Sequence, residues 1–169
     1  GESVVVLGCG GVGLSVIQGA RIAGAKSIIA LDKRIESLER AKRMGATHTW
    51  RIEDNDAKFE AAVAHVRSLT EGRGADYAFE ATGQHSLAFA PLKFIRHGGV
   101  ALQLSGAHGE VSASMLDFWW DKRYLTPLYG GCHPPRDFPK LMRWIDEGQL
   151  DVASMITRLY TLSQLQGAM

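Results

Sequence analysis

The hydrophobic pattern of this chain alternates between short unbroken apolar runs and longer stretches in which apolar residues recur at helical spacing. Ser3 to Leu7, the first run, is rich in β-branched residues and predicts a strand covered on both faces, as parallel sheets require. Val12 to Ala23 follows at helical period. Gly13, Ile17, Ala20 and Gly24 then share a narrow face of mostly small residues that can approach a sheet closely. Ser27 to Leu31 predicts a second strand, and Ile35 to Met44 a second helix with Glu36/Arg40 and Glu39/Arg43 one turn apart. A short third strand is expected near Thr47 to Arg51. An amphipathic helix over Asp56 to Leu69 comes next, with Phe59, Ala62, Val63 and Val66 on one face. Glu71-Gly-Arg-Gly74 is a loop and Ala75 to Phe79 a fourth strand. His85 to Arg96 reads as a helix interrupted by Pro91, its Leu87, Phe89, Leu92 and Ile95 in the core. His97-Gly-Gly99 turns the chain into a fifth strand, Val100 to Leu104. Such alternation with short connections predicts an α/β chain built on a doubly wound parallel sheet.

Between the first strand and first helix lie Gly8, Gly10 and Gly13, in G-x-G-x-x-G spacing. Gly8 permits a tight turn, Gly10 carries no side chain to hold a pyrophosphate off the backbone, and Gly13 lets the helix sit close to the strand. The unpaired N–H groups and positive dipole end of that helix would face the anion. A glycine motif alone is weak evidence, but here a strand precedes it, a helix follows, and the next strand ends in Asp32. That acid stands 19 positions after Gly13 (32 − 13), close to the offset expected of a carboxylate that hydrogen-bonds ribose hydroxyls. Asp32 could also cap the helix beginning at Ile35, and the two roles are compatible. Lys33 and Arg34 could accept the 2′-phosphate of NADP, whereas a carboxylate at 32 repels that phosphate, so NAD is the expected cofactor. Glu80-Ala-Thr-Gly83 follows the fourth strand, where the sheet order should reverse and a cofactor can lie across the crevice.

Composition narrows the partners. The 169 residues make one domain of ordinary size with room for a substantial core. Nineteen basic and eighteen acidic residues, a net charge of +1, leave no broad footprint for nucleic acid or an acidic membrane surface, so a small molecule is expected. Cys9 and Cys132 are the two cysteines, too few for a disulfide framework or a zinc-thiolate cluster, and a reducing cytoplasm is the expected location. No signal-peptide pattern or membrane-length apolar run is present. A start so close ahead of a buried strand suggests a domain excised from a longer protein.

An ordered set of motifs resembles the zinc-type, medium-chain alcohol dehydrogenases. The set comprises Val4-Val-Val-Leu-Gly-Cys-Gly-Gly-Val-Gly13, Ile29-Ala-Leu-Asp32, Ala41-Lys-Arg-Met-Gly-Ala-Thr47, Gly74-Ala-Asp-Tyr-Ala-Phe-Glu-Ala-Thr-Gly83 and Gly98-Gly99 before a strand. Tyr129-Gly-Gly131, a helix over Arg136 to Gly148, Leu150 and Ile156-Thr157 resemble the end of that family's cofactor domain, so the likeness spans the chain. It implies a six-stranded parallel Rossmann sheet with helices on both faces, residues 1–169 forming the dinucleotide-binding domain. Gly8, Gly10, Gly11, Val12 and Gly13 would hold the pyrophosphate and Asp32 the adenosine ribose, flanked by Lys33 and Arg34. Ala81 and Thr82 would line the cofactor's middle. Leu104, Ser105 and Gly106 would meet the nicotinamide, with serine where the family more often has glycine.

The resemblance also marks an absence. In that family the catalytic zinc, its ligands (Cys, His and either Cys or an acid), the proton relay and the four-cysteine structural zinc lobe belong to a flanking domain that these residues do not contain. No catalytic residue or metal ligand is expected here. Cys132-His133 beside Pro134-Pro135 cannot complete a tetrahedral site, and the histidines at 48, 65, 85, 97, 108 and 133 are scattered. The full-length enzyme would be NAD-dependent and act on an alcohol or aldehyde; this chain alone is expected to be inactive. The resemblance further implies a homodimer through a sixth strand about Tyr124 to Gly130, and Phe118, Trp119 and Trp120 are read as facing a partner rather than filling a helix on the sheet edge. The alternatives are an NADP-dependent quinone reductase of the same superfamily, an S-adenosylmethionine-dependent methyltransferase and a non-enzymatic nucleotide sensor.

Overall fold

In the computed structural model, β1 (Ser3–Leu7), β2 (Ser27–Asp32), β3 (His48–Arg51), β4 (Ala75–Glu80), β5 (Ile95–Gln103) and β6 (Arg123–Leu125) form one sheet in the order β3-β2-β1-β4-β5-β6. Every pairing is parallel. The structure describes residues 1–56, 58–106 and 109–168, with Ala168 described by its backbone alone; His108 therefore lies outside the described residues. The order reverses between β1 and β4, as in a Rossmann sheet.

The unbroken apolar character of β1 follows from burial on both faces. Val4 and Val6 point into one core with Leu14 and Ile17 of α1 (Gly11–Ile22) and Leu38, Ala41 and Met44 of α2 (Ile35–Met44). Val5 and Leu7 point into the other, with Ala62 and Val66 of α3 (Glu60–Leu69) and with Leu92 and Phe94. Each of the Val, Leu, Ile, Met and Phe side chains among these contributes about 1.5–3 kcal/mol when fully buried. Asp76, at the start of β4, joins the amino ends of three strands. It accepts from the Ser3 N–H at 2.7 Å, the Ser3 hydroxyl at 2.8 Å and Arg96 Nε at 2.6 Å. Buried Gln18 in α1 exchanges hydrogen bonds with the Asp151 backbone at 3.0 and 2.7 Å, anchoring the segment that follows α4 (Pro134–Asp146).

Several expected boundaries move, each for a local reason. The helix expected from Asp56 begins at Glu60, because Phe59 is left-handed (φ 61°) and the Asp56 carboxylate accepts from the Ala61 and Ala62 N–H groups of the first turn. No helix spans His85 to Arg96. Two 3₁₀ turns, His85–Leu87 and Ala90–Lys93, take its place, because Pro91 supplies no N–H and its ring clashes with an α-helical turn behind it. β5 starts at Ile95 and takes in the glycine pair through a register irregularity opposite Ala75 and Tyr77. The helix expected over Arg136 to Gly148 runs Pro134–Asp146, with proline suited to its first turn. β6 is shorter than the expected 124–130 strand. Pro127 cannot extend a ladder, and Leu128–Gly131 is a 3₁₀ turn with positive φ at Tyr129 and Gly130. Met115–Phe118 is likewise a 3₁₀ turn; Phe118 packs on Phe89 and Tyr124, while Trp119 and Trp120 stay exposed. Among the described residues no helix is long and apolar enough to cross a membrane.

Candidate functional site

The site is built at the carboxyl ends of β1, β2 and β4. Gly8 leaves β1 with φ +91°, and its N–H donates to the Leu31 carbonyl at 2.8 Å, so the turn is pinned to the neighbouring strand. A β-carbon on Gly8 would lie 2.8 Å from the Ala81 and Thr82 backbone, and one on Gly13 only 1.9 Å from the Gly8 carbonyl oxygen. These two glycines are thus required by packing. Gly10 and Gly11 differ: a β-carbon on either meets nothing within 4 Å. The space before them is open, which suits an incoming ligand rather than the fold.

Gly10 is the N-cap of α1. No side chain caps that end and no acid stands in the first turn, so the N–H groups of Gly11, Val12 and Gly13 face outward without an intrahelical acceptor. Exposed Val12 sits on the same rim. The positive end of α1 is therefore available to an anion.

Asp32 closes the turn from the side. Its Oδ2 accepts from the Cys9 N–H at 2.8 Å and its Oδ1 from the Arg34 N–H at 2.8 Å, which leaves lone pairs on both oxygens for further donors. It does not cap the first turn of α2; Arg34 holds the N-cap position without a side-chain bond. Lys33 Nζ pairs with Asp54 at 2.9 Å, and Arg34 Nε lies 3.9 Å from Asp32. Both cations already face carboxylates. Beneath the turn, burial and then the Asp32 charge push the Cys9 thiol up to about 12.

A cleft of about 560 Å³ joins Gly8, Gly10, Asp32, Lys33, Arg34, Ala81 and Thr82. Its apolar wall comes from Ile52, Phe59 and Leu87, and Glu53, Asp54 and Asp56 make its rim acidic. Leu104, Ser105 and Gly106 follow β5 and do not line that cleft. They are tied to it through Glu80, which is fully buried and accepts from Thr82 and from Ser105. The apolar wall and Glu80 are site features that sequence reasoning did not assign. The signal for Glu80 was an acid at the carboxyl end of a strand that faces the crevice; the wall carried none, since Phe59 and Leu87 read as ordinary core. Among the described residues, no three His, Cys, Asp or Glu side chains gather where they could hold a metal ion.

Comparison with known proteins is consistent with this geometry. The sequence model of the zinc-binding dehydrogenase family matches residues 11–147. The chain is 30% identical over 173 residues to an alcohol dehydrogenase class-3 of Cereibacter sphaeroides, covering 98% of this chain and 45% of that protein. It is 31% identical over 170 residues to a sorbitol dehydrogenase of Bacillus subtilis, covering 100% of this chain and 46% of the relative. Among solved structures, a zinc-dependent alcohol dehydrogenase 2 from Streptococcus pneumonia superposes with TM-score 0.86 at 26% identity over 99% of this chain and 47% of its own. A benzyl alcohol dehydrogenase from Acinetobacter calcoaceticus gives 0.85 at 26% identity, over 99% and 45%. The chain thus spans a little under half the length of the relatives it matches.

Proposed function

Because this chain belongs to the zinc-binding dehydrogenase family, we propose that it is the NAD-holding part of an alcohol dehydrogenase whose remaining residues lie outside the chain. NAD, when bound, accepts or returns a hydride at nicotinamide C4 as an alcohol and its aldehyde or ketone interconvert. The observation that carries the proposal is the pairing of an uncapped α1 amino end with a carboxylate, Asp32, bonded to the same glycine turn.

Each group has a definable task. The Gly11, Val12 and Gly13 N–H groups meet the pyrophosphate, and Gly10 admits it to the backbone. Asp32 spends its free lone pairs on the adenosine ribose hydroxyls. A 2′-phosphate there would meet Asp32 directly, with Asp54 competing for Lys33, so NAD is favoured over NADP. Ala81 and Thr82 line the middle of the cofactor, and Leu104, Ser105 and Gly106 approach its nicotinamide. The quinone reductase and methyltransferase alternatives are not favoured by the family match or by the dehydrogenase relatives.

Zinc chemistry, in which a metal polarises the substrate oxygen, would be supplied by ligands outside this chain. The chain alone is then inactive and binds a small-molecule alcohol or aldehyde only as part of the whole protein. The short β6 edge, with Leu125, Leu128 and Tyr129 exposed beside it, is the proposed seam of a homodimer, and the cytoplasm the proposed location. The first test is titration of the chain with NADH and with NADPH, followed by energy transfer from its tryptophans. Tighter NADH binding, lost in Asp32→Ala and Gly10→Val, is expected; tighter NADPH binding, or binding that ignores both substitutions, would overturn the assignment.

A further inference from the structure

Glu80 is the only buried acid among the described residues, and the roles assigned above do not use it. None of the ion pairs among those residues includes it. A carboxylate taken out of water without a cation persists only where hydrogen bonds replace its hydration. Here three donors do so. Oε1 accepts from the Thr82 N–H at 2.7 Å and the Thr82 hydroxyl at 2.5 Å, and Oε2 accepts from the Ser105 hydroxyl. Gln103 Nε2 reaches the same Ser105 oxygen at 3.4 Å, steadying it from the strand side.

The two hydroxyls stand on different loops. Thr82 follows β4 and Ser105 follows β5, both beyond the last ladder pair, Glu80 with Gln103. The Leu104 N–H to Glu80 carbonyl bond at 3.0 Å ends the backbone pairing. Past that point the ladder no longer sets the distance between the loops. The Glu80 side chain does, with one oxygen for each.

We propose that Glu80 is a positioning residue: its buried carboxylate clasps Thr82 and Ser105 and so fixes the spacing of the two loops that receive the middle and the nicotinamide end of the dinucleotide. The inference rests on the cofactor reading given above. A glycine or alanine at 105 would leave Oε2 without its donor and free the β5 loop, whereas the adenosine side of the cleft, held by Asp32 and the glycine turn, would keep its shape. The clasp therefore acts on one half of the ligand.

Removing a buried carboxylate threatens the fold itself, so the test is placed at Ser105, which is only partly buried. NADH and ADP-ribose, which lacks nicotinamide, are titrated against the wild-type chain, Ser105→Ala and Ser105→Thr. Ser105→Ala should weaken NADH by about tenfold, the scale of one hydrogen bond to a charged group, and leave ADP-ribose within about twofold. Ser105→Thr, which keeps the hydroxyl, should restore NADH binding. Equal losses for NADH and ADP-ribose would reduce the clasp to a structural prop and overturn the inference, as would an unchanged NADH affinity in Ser105→Ala. Wild-type chain that binds neither ligand would overturn the cofactor reading and the inference together.

Discussion

Gly13→Ala should damage the fold, while Gly10→Ala, three residues earlier in the same motif, should leave it nearly intact. The added β-carbon at 13 would sit 1.9 Å from the Gly8 carbonyl oxygen and 2.9 Å from its carbon. Ordinary carbon–oxygen contacts are about 3.3 Å or longer, so α1 must retreat from the turn by an ångström or more. Gly8 cannot yield in its place, being held to Leu31 and walled by the Ala81 and Thr82 backbone. Retreat would loosen Leu14 and Ile17, both almost wholly buried against β1. Overpacking of this kind costs about 1–3 kcal/mol, occasionally more. Loss of part of the burial of two aliphatic side chains, each worth about 1.5–3 kcal/mol, adds to that. The gain in helix propensity from glycine to alanine, about 1 kcal/mol, offsets some of it. The net loss is about 2–4 kcal/mol, a fall in Tm of about 5–15 °C for a chain of this size. Gly10→Ala meets no neighbouring atom and has ordinary backbone angles (φ −78°, ψ −166°), so it forfeits only a favourable cap, about 0.5 kcal/mol. Thermal and urea unfolding followed by circular dichroism measure both. A Gly13→Ala chain within about 0.5 kcal/mol of wild type, or equal destabilisation by the two changes, would refute the assignment of Gly13 to packing and Gly10 to the ligand.

Two further outcomes follow from ionisable groups. Burial raises the Asp76 carboxyl, but the Ser3 N–H, Arg96 and the Ser3 hydroxyl outweigh it and bring the group down to about 2. Since this folded value lies below that of an unfolded aspartate, about 3.9, the stabilisation is complete above roughly pH 4 and is lost as pH falls towards 2. Urea midpoints should drop across that window in wild type and more shallowly in Asp76→Asn; parallel acid profiles would contradict the clamp. With the Cys9 thiol pushed up to about 12 by burial and by Asp32, a disulfide reagent near pH 8 should modify exposed Cys132 promptly and Cys9 only on unfolding. Two fast thiols in the native chain would show the glycine turn to be open.

The elements that could be read in advance are those whose signals are local. β1, β2 and α2 fall where the pattern placed them, because strands buried on both faces must be apolar throughout and an amphipathic helix must repeat near its own period. The segment after β4 misled for an equally physical reason. Leu87, Phe89, Leu92 and Ile95 have nearly helical spacing, but Pro91 divides them, and Ile95 is drawn into β5 beside Ala75. Phe59 read as a helical core residue; it is core, packed edge-on against Phe94, but from a left-handed position outside α3.

By itself the sequence determined the glycine turn, the acid that closes β2 and the alternation that makes a doubly wound sheet, since backbone freedom, apolar runs and short connections act over neighbouring residues. Only the tertiary structure decided which side chains meet across the strands. The Asp76 clamp on Ser3 and Arg96, the apolar wall of Ile52, Phe59 and Leu87, and the Glu80 clasp on Thr82 and Ser105 all depend on strand order and register. The pairing of Glu80 with Gln103 brings the two loops side by side. Such contacts join residues far apart in the chain, and their energies depend on angles and distances that no local pattern encodes.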